Sequence, residues 1–131
     1  MSEKRFLTPA TLSPPFGYSH VVEAPAGTMV YISGQVPLDA EGQLVGAGDF
    51  VAQTRQVFEN LTRALEAADA SWSDVVKLDY FLRNVDQIGV VRAIRDEYVD
   101  TANPPASTLV EVSSLFSPDV LVEIQAVAIK A

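Results

Sequence analysis

PPASTLVEVSSLFSPDVLVEIQAVAI, residues 104–129, decides the fold. The proline pair bars further helix, because proline has no N–H to give and pushes the residue before it out of the α region. Behind it lie two runs rich in β-branched residues, Ser107–Val112 and Val120–Ile129, around a turn at Ser117-Pro118-Asp119. Two strands are therefore expected. Polar residues interrupt both: Ser107, Thr108 and Glu111 in the first, Glu123 and Gln125 in the second.

Working back from there, Ser73 to Arg83 alternates cleanly. Val76, Leu78, Tyr80 and Leu82 fall on one side of a strand; Val75, Lys77, Asp79, Phe81 and Arg83 fall on the other. Between that strand and the prolines a helix is expected from about Asp86 to Val99, with Ile88, Val91, Ile94 and Tyr98 as its apolar stripe. Ahead of the strand, Phe50, Val51, Val57, Phe58, Leu61, Leu65 and Ala68 recur at helical spacing. Asp49 is a good N-cap, and the helix should stop near Asp69, where glycine would be the easier residue. Arg55, Glu59 and Arg63, four apart, suggest exposed ion pairs along it.

Towards the N-terminus, Tyr18–Ala24 reads as a short strand and Pro25-Ala26-Gly27 as a turn. MVYIS, residues 29–33, reads as its hairpin partner. SGQVPLDAEGQLVGAGD, residues 33–49, is then a loop. The first seventeen residues hold three prolines and read as an extended arm.

The order ββαβαββ describes one α+β domain over residues 1–131, with two helices on one face of a mixed sheet. Its uncovered face is expected to carry the odd-numbered residues of the last three strands. These are Val75, Lys77, Asp79 and Phe81; Ser107, Leu109 and Glu111; and Leu121, Glu123, Gln125, Val127 and Ile129. That set is too apolar for solvent, so a homo-oligomer with packed sheets is expected.

A net charge of −8, with nine Lys and Arg scattered along 131 residues, argues against nucleic acid and anionic membranes as partners. Without cysteine there are no disulfides, thiol nucleophiles or thiolate metal sites. The N-terminus offers no signal-peptide core and no segment nears the ~20 apolar residues of a membrane span, so a cytoplasmic protein is expected. No His/Asp/Glu cluster has metal-ligand spacing, and the loop glycines form neither GxGxxG nor a P-loop. No metal and no cofactor is therefore expected.

Five segments together resemble the RidA/YjgF family of reactive-intermediate deaminases. They are GYSHVVEA (17–24), YISGQVPLD (31–39), AQTRQVFENLTRALEAADAS (52–71), DVVKLDYFLRNVD (74–86) and the stretch quoted first. The resemblance implies a chorismate-mutase-like fold and a homotrimer with pockets between neighbouring subunits. It also implies hydrolysis of small enamines and imines to a ketone or ketoacid and ammonia. An arginine in a P-A-R-S type motif would grip the substrate carboxylate, a late glutamate would handle water, and a tyrosine would line the pocket.

Carried onto this chain, the tyrosine falls on Tyr18, the glutamate on Glu123 and the loop residues on Ser33, Gly34 and Gln35. The arginine falls on Ser107, since PAST stands where PARS is expected. A hydroxyl cannot make the bidentate, charge-assisted pair of a guanidinium. Glu123 is thus the candidate catalytic residue. Tyr18, Ser33, Gly34, Gln35, Ser107, Glu111 and Arg92 are the candidate substrate-binding residues, Arg92 as a substitute cation. His20, the single histidine, adjoins the pocket tyrosine. Two functions follow: a cofactor-free enamine or imine hydrolase or tautomerase, or a non-catalytic homotrimer that binds a small metabolite or has a regulatory role.

Overall fold

The computed structural model describes residues 4–131. Six strands and two helices follow in the order β1 (Arg5–Leu7), β2 (Val21–Glu23), β3 (Thr28–Gln35), α1 (Phe50–Ala67), β4 (Val75–Leu82), α2 (Ile88–Arg95), β5 (Ala106–Glu111) and β6 (Val122–Lys130). β1 and β2 form a small ribbon of their own. The main sheet has the order β3-β6-β4-β5, antiparallel except for the β4–β5 pair. β3 and β4 both run against β6, so each step from β3 to β4 and from β4 to β5 is a parallel crossover. α1 serves the first and α2 the second. Both steps move the same way across the sheet, and right-handed crossovers that advance one way leave their helices on one face. The result is two helices on a mixed sheet.

α1 begins where Asp49 Oδ1 accepts the amide of Ala52 at 3.1 Å. It ends in a Schellman turn: Ala70 N donates to Leu65 O at 2.9 Å and Asp69 N to Glu66 O at 3.0 Å. Asp69 has φ +54°, the left-handed position for which glycine is best suited. The core lies between the layers. α1 supplies Val57, Phe58, Leu61 and Leu65, α2 supplies Val91 and Ile94, and the sheet answers with Leu78, Leu82, Val122, Ile124, Ala126 and Ala128. Phe58 stacks on Tyr98 with ring centres 5.1 Å apart, and Trp72 closes the cluster 5.8 Å from Phe58. Buried Gln53 donates to Gly46 O at 3.1 Å and Asp119 O at 2.9 Å and accepts from Leu121 N at 2.9 Å, which ties the loop before α1 to the start of β6.

Several expectations need correction. The arm contains β1, which takes β2 as its partner; β3 pairs with β6 instead of forming a hairpin with the first strand. The first three residues of the expected arm lie outside the described ones. α2 spans only Ile88–Arg95, with a short 3₁₀ turn at Val85–Gln87 before it and turns after it. Arg55 pairs across to Glu97 at 2.9 Å, and Glu59 accepts from the Tyr98 hydroxyl at 2.8 Å, so the pairs expected along α1 do not form. Val75 is buried, because the β4–β6 register shifts between Val75 and Lys77 and reverses its side.

The largest correction concerns β5. Ser107, Leu109 and Glu111 pair with Leu78, Tyr80 and Leu82, the buried row of β4, and so share the helix-covered face. Thr108 and Val110 occupy the uncovered face instead, where Lys77 Nζ donates to Thr108 Oγ1 at 2.9 Å. Parity within a strand is readable from sequence; its phase relative to a parallel neighbour is set by the crossover.

Candidate functional site

All the candidate residues but Glu111 gather at two places. One is a cavity of about 190 Å³ between α2, β5 and the N-terminal arm. Ile88, Val91, Arg92 and Arg95, spaced at one helix face, form one wall, and Ser107 and Leu109 of β5 form another. Tyr80 of β4 joins them, with Phe16 and Tyr18 from the arm. The arm is fastened here: Ser19 N donates to Pro105 O at 3.1 Å and Ser19 Oγ to Pro104 O at 2.6 Å. Gly17, with φ +77°, passes so close to the Arg95 guanidinium that a Cβ would overlap it. His20 is part of the same fastening, its Nε2 lying 2.6 Å from Ser13 O and its ring edge-on to Tyr18 at 5.4 Å.

The cavity is rich in donors. Arg92 lies over the Phe16 ring, 5.0 Å from its centre, and pairs with no carboxylate among the described residues. Arg95 is buried, donating through Nε to Asp96 Oδ1 at 2.9 Å and through Nη1 to Phe16 O at 3.4 Å. Tyr80 is buried too, and its hydroxyl makes no hydrogen bond among the described residues. Burial pushes its phenol well above the usual tyrosine range, with the Arg95 charge pulling the other way, so it stays protonated.

The second place is on the opposite face of the sheet. The β3–β6 register shifts between Ile32, paired with Ala126, and Gln35, paired with Ile124, so Ser33 and Gly34 together stand opposite the single residue Gln125. Gly34 runs so close to Glu123 that a Cβ would overlap its carboxylate. Gln35 folds back, donating to Ser33 O at 3.1 Å. Glu123 is half-buried beside Phe81, its register partner on β4. The SGQ loop and Glu123 therefore form one unit, while Tyr18, Arg92 and Ser107 form another. Glu111 belongs to neither: its Oε1 accepts the Val85 amide at 2.9 Å and holds the turn before α2.

Tyr80 and Arg95 were not singled out from sequence. Each carried a signal, since a tyrosine inside a Leu/Leu row needs a partner for its hydroxyl. Arg95 falls four residues after Val91, inside the buried stripe of α2. No group of three or more His, Asp or Glu that could hold a metal occurs among the described residues. No helix among them is long and apolar enough to cross a membrane. A larger cavity of about 620 Å³, beside Lys4, Phe6, Asp74 and Lys130, includes none of the candidate residues.

Comparison with known proteins supplies the relationship. The family model described as Endoribonuclease L-PSP matches residues 8–130. The RutC family protein PH0854 of Pyrococcus horikoshii is 39% identical over 113 residues, covering 86% of each chain. The 2-iminobutanoate/2-iminopropanoate deaminase of Salmonella typhimurium is 35% identical over 124 residues, 93% of this chain and 91% of that one. The crystal structure of the Rid-family protein YyfB of Yersinia pestis superposes with a TM-score of 0.89 at 38% identity, covering 98% of this chain and all of the other. With the model matching nearly the whole chain and the fold shared throughout, this protein belongs to the RidA/YjgF family.

Proposed function

We propose that this protein is a cofactor-free hydrolase or tautomerase of a small enamine or imine, working in a pocket that another copy of the chain completes within a homotrimer. The observation that carries the reading is the packing of Glu123 against Gly34, which fixes a carboxylate at the SGQ loop with no room for a side chain between them. Glu123 is positioned to relay protons to and from water. In the hydrolytic reaction water adds to the carbon of a protonated imine, giving a carbinolamine. Proton transfer through Glu123 moves a proton from oxygen to nitrogen, the C–N bond breaks, and a carbonyl compound and ammonium leave.

Ser107 sets the limit on substrate. A 2-imino acid held by a cation on this strand would lose at least ~1.5–3 kcal/mol with serine there, the range for a hydrogen bond to a charged group. The substrate therefore differs from the 2-imino acids named for the Salmonella relative, or is held from elsewhere in the cavity. Endoribonuclease chemistry fits poorly with a net charge of −8 and a single histidine. The expected setting is the cytoplasm, with a small metabolite and the chain's own copies as partners.

Ser107 also favours a second reading, a non-catalytic trimer that binds a metabolite or has a regulatory role. Glu123→Gln separates the two when ammonia release is followed across a panel of acidic and neutral imines. Turnover that collapses while the assembly keeps its mass supports the enzyme. Wild-type decay no faster than the buffer rate across the panel leaves the binding protein.

A further inference from the structure

We propose that Tyr80, Arg92 and Arg95 form an anion receptor in the cavity between α2 and β5, holding a small carboxylate from the helix side in place of the strand cation that Ser107 displaces. The inference rests on the proposed function for calling that carboxylate a substrate, but not for the existence of the receptor.

The first support is the Tyr80 hydroxyl, buried at 3% exposure and without a partner among the described residues. Buried hydroxyls are nearly always hydrogen-bonded, so this one calls for a partner from outside the described residues. The second support is the polar inventory of the cavity. A protonated phenol can donate, and two guanidinium groups can only donate; Ser107 can do either. The complement of such a set is an acceptor carrying negative charge. Asp96 answers Arg95 through Nε alone, and Arg92 has only the Phe16 ring. The site therefore keeps a net positive charge.

Shape narrows the ligand further. A cavity of about 190 Å³ has roughly the volume of six waters in the liquid, enough for an acid of a few carbons. Ile88, Val91 and Leu109 offer an apolar bed for its alkyl chain, and the planar fork of an arginine matches a carboxylate. Tyr80 pairs with Leu109 in register and Leu78 with Ser107, so Tyr80 and Ser107 are diagonal neighbours on one face. A carboxylate on the Tyr80 hydroxyl can thus also take the Ser107 hydroxyl.

Calorimetric titration of wild type, Tyr80→Phe and Arg92→Gln with butanoate, butanamide and inorganic phosphate tests this. Butanoate should bind at least tenfold more tightly than butanamide and phosphate. Tyr80→Phe should weaken butanoate about ten- to a hundredfold, as expected for one hydrogen bond to a charged group. The same variant should melt higher than wild type, because it removes a buried hydroxyl that has no partner within the chain. Arg92→Gln, whose ring contact is to exposed Phe16, tests the receptor without touching the core and should also weaken butanoate at least tenfold. Equal binding of acid and amide, tighter binding of phosphate, or unchanged butanoate affinity in both variants overturns the receptor. Butanoate binding that depends on Tyr80, with no imine turned over, sinks the enzyme reading and keeps the receptor. Turnover of neutral imines without butanoate binding does the reverse.

Discussion

Ser107 and Glu123 stand on opposite faces of one sheet: Ser107 in the row with Leu78 under α2, Glu123 beside Phe81 on the face the helices leave uncovered. One small molecule cannot touch both within a single chain. If they serve one reaction, the uncovered face of one copy must approach the cavity of another. Tyr31, 74% exposed on that face, then becomes part of a contact between copies. Tyr31→Glu should reduce the sedimenting mass to that of one chain at micromolar concentration and lower turnover at least a hundredfold. A fully active variant of single-chain mass would separate the reaction from assembly.

Gly34 is the tightest point of the SGQ loop. In Gly34→Ala the new methyl meets the far end of a flexible side chain, so Glu123 swings aside and the fold is kept. The expected loss is about a hundredfold in kcat, the scale of a catalytic group misplaced by about 1 Å. Stability should change by less than about 1 kcal/mol, read from the urea midpoint. Unaltered kcat would show that the Glu123 position is not critical.

Asp69 occupies a left-handed conformation at the end of α1. Asp69→Gly keeps the Schellman hydrogen bonds and removes the Cβ clash, at the expense of a looser unfolded chain. A net gain of roughly 0.5–1 kcal/mol is expected. The check is a higher denaturant midpoint at unchanged slope.

The Tyr98 phenol is pushed up to about 12, chiefly by burial and then by its hydrogen bond to Glu59. A tyrosine in the unfolded chain ionises near 10. The folded state therefore holds the proton more firmly, a contribution to stability that is complete below pH 10 and lost as pH rises from 10 through 12. Stability should fall in that window, with a tyrosinate absorbance step near pH 12 that Tyr98→Phe removes. A step near 10 that Tyr98→Phe removes would instead place Tyr98 in solvent.

Much of this was legible in the sequence. The alternation of Leu78, Tyr80 and Leu82, the stripe of α1 with its Asp49 cap, and the buried even positions of β6 all follow from local periodicity. The failures were non-local. Ser107 was placed on the wrong face because its phase is fixed by pairing with β4 across an intervening helix. Val75 changed sides at an irregularity that no local pattern announces. Arg55 found Glu97, forty-two residues away, in preference to a neighbour on its own helix. Glu123 and the SGQ loop were both candidates in the sequence, but that Gly34 touches Glu123 is a property of the β3–β6 register. Tyr80 and Arg95 look like core positions in a one-dimensional reading; only the cavity shows that their polar ends face each other's neighbourhood.

The strand order carries a consequence for how the chain is made. β3 has no partner in the main sheet except β6, and β6 also lies between β3 and β4. A nascent chain that has reached residue 121 holds both helices and three of the four strands, yet β3 is unpaired and one edge of β4 is bare. Docking of residues 122–130 inserts the missing strand into the middle and joins β3, about a hundred residues back in the chain, to β4. Until then the bare edges are open to the wrong partners, including those of sister chains on the same message. A released chain that ends before Val122 is therefore expected to aggregate or be held by chaperones, because it lacks the strand that covers both edges.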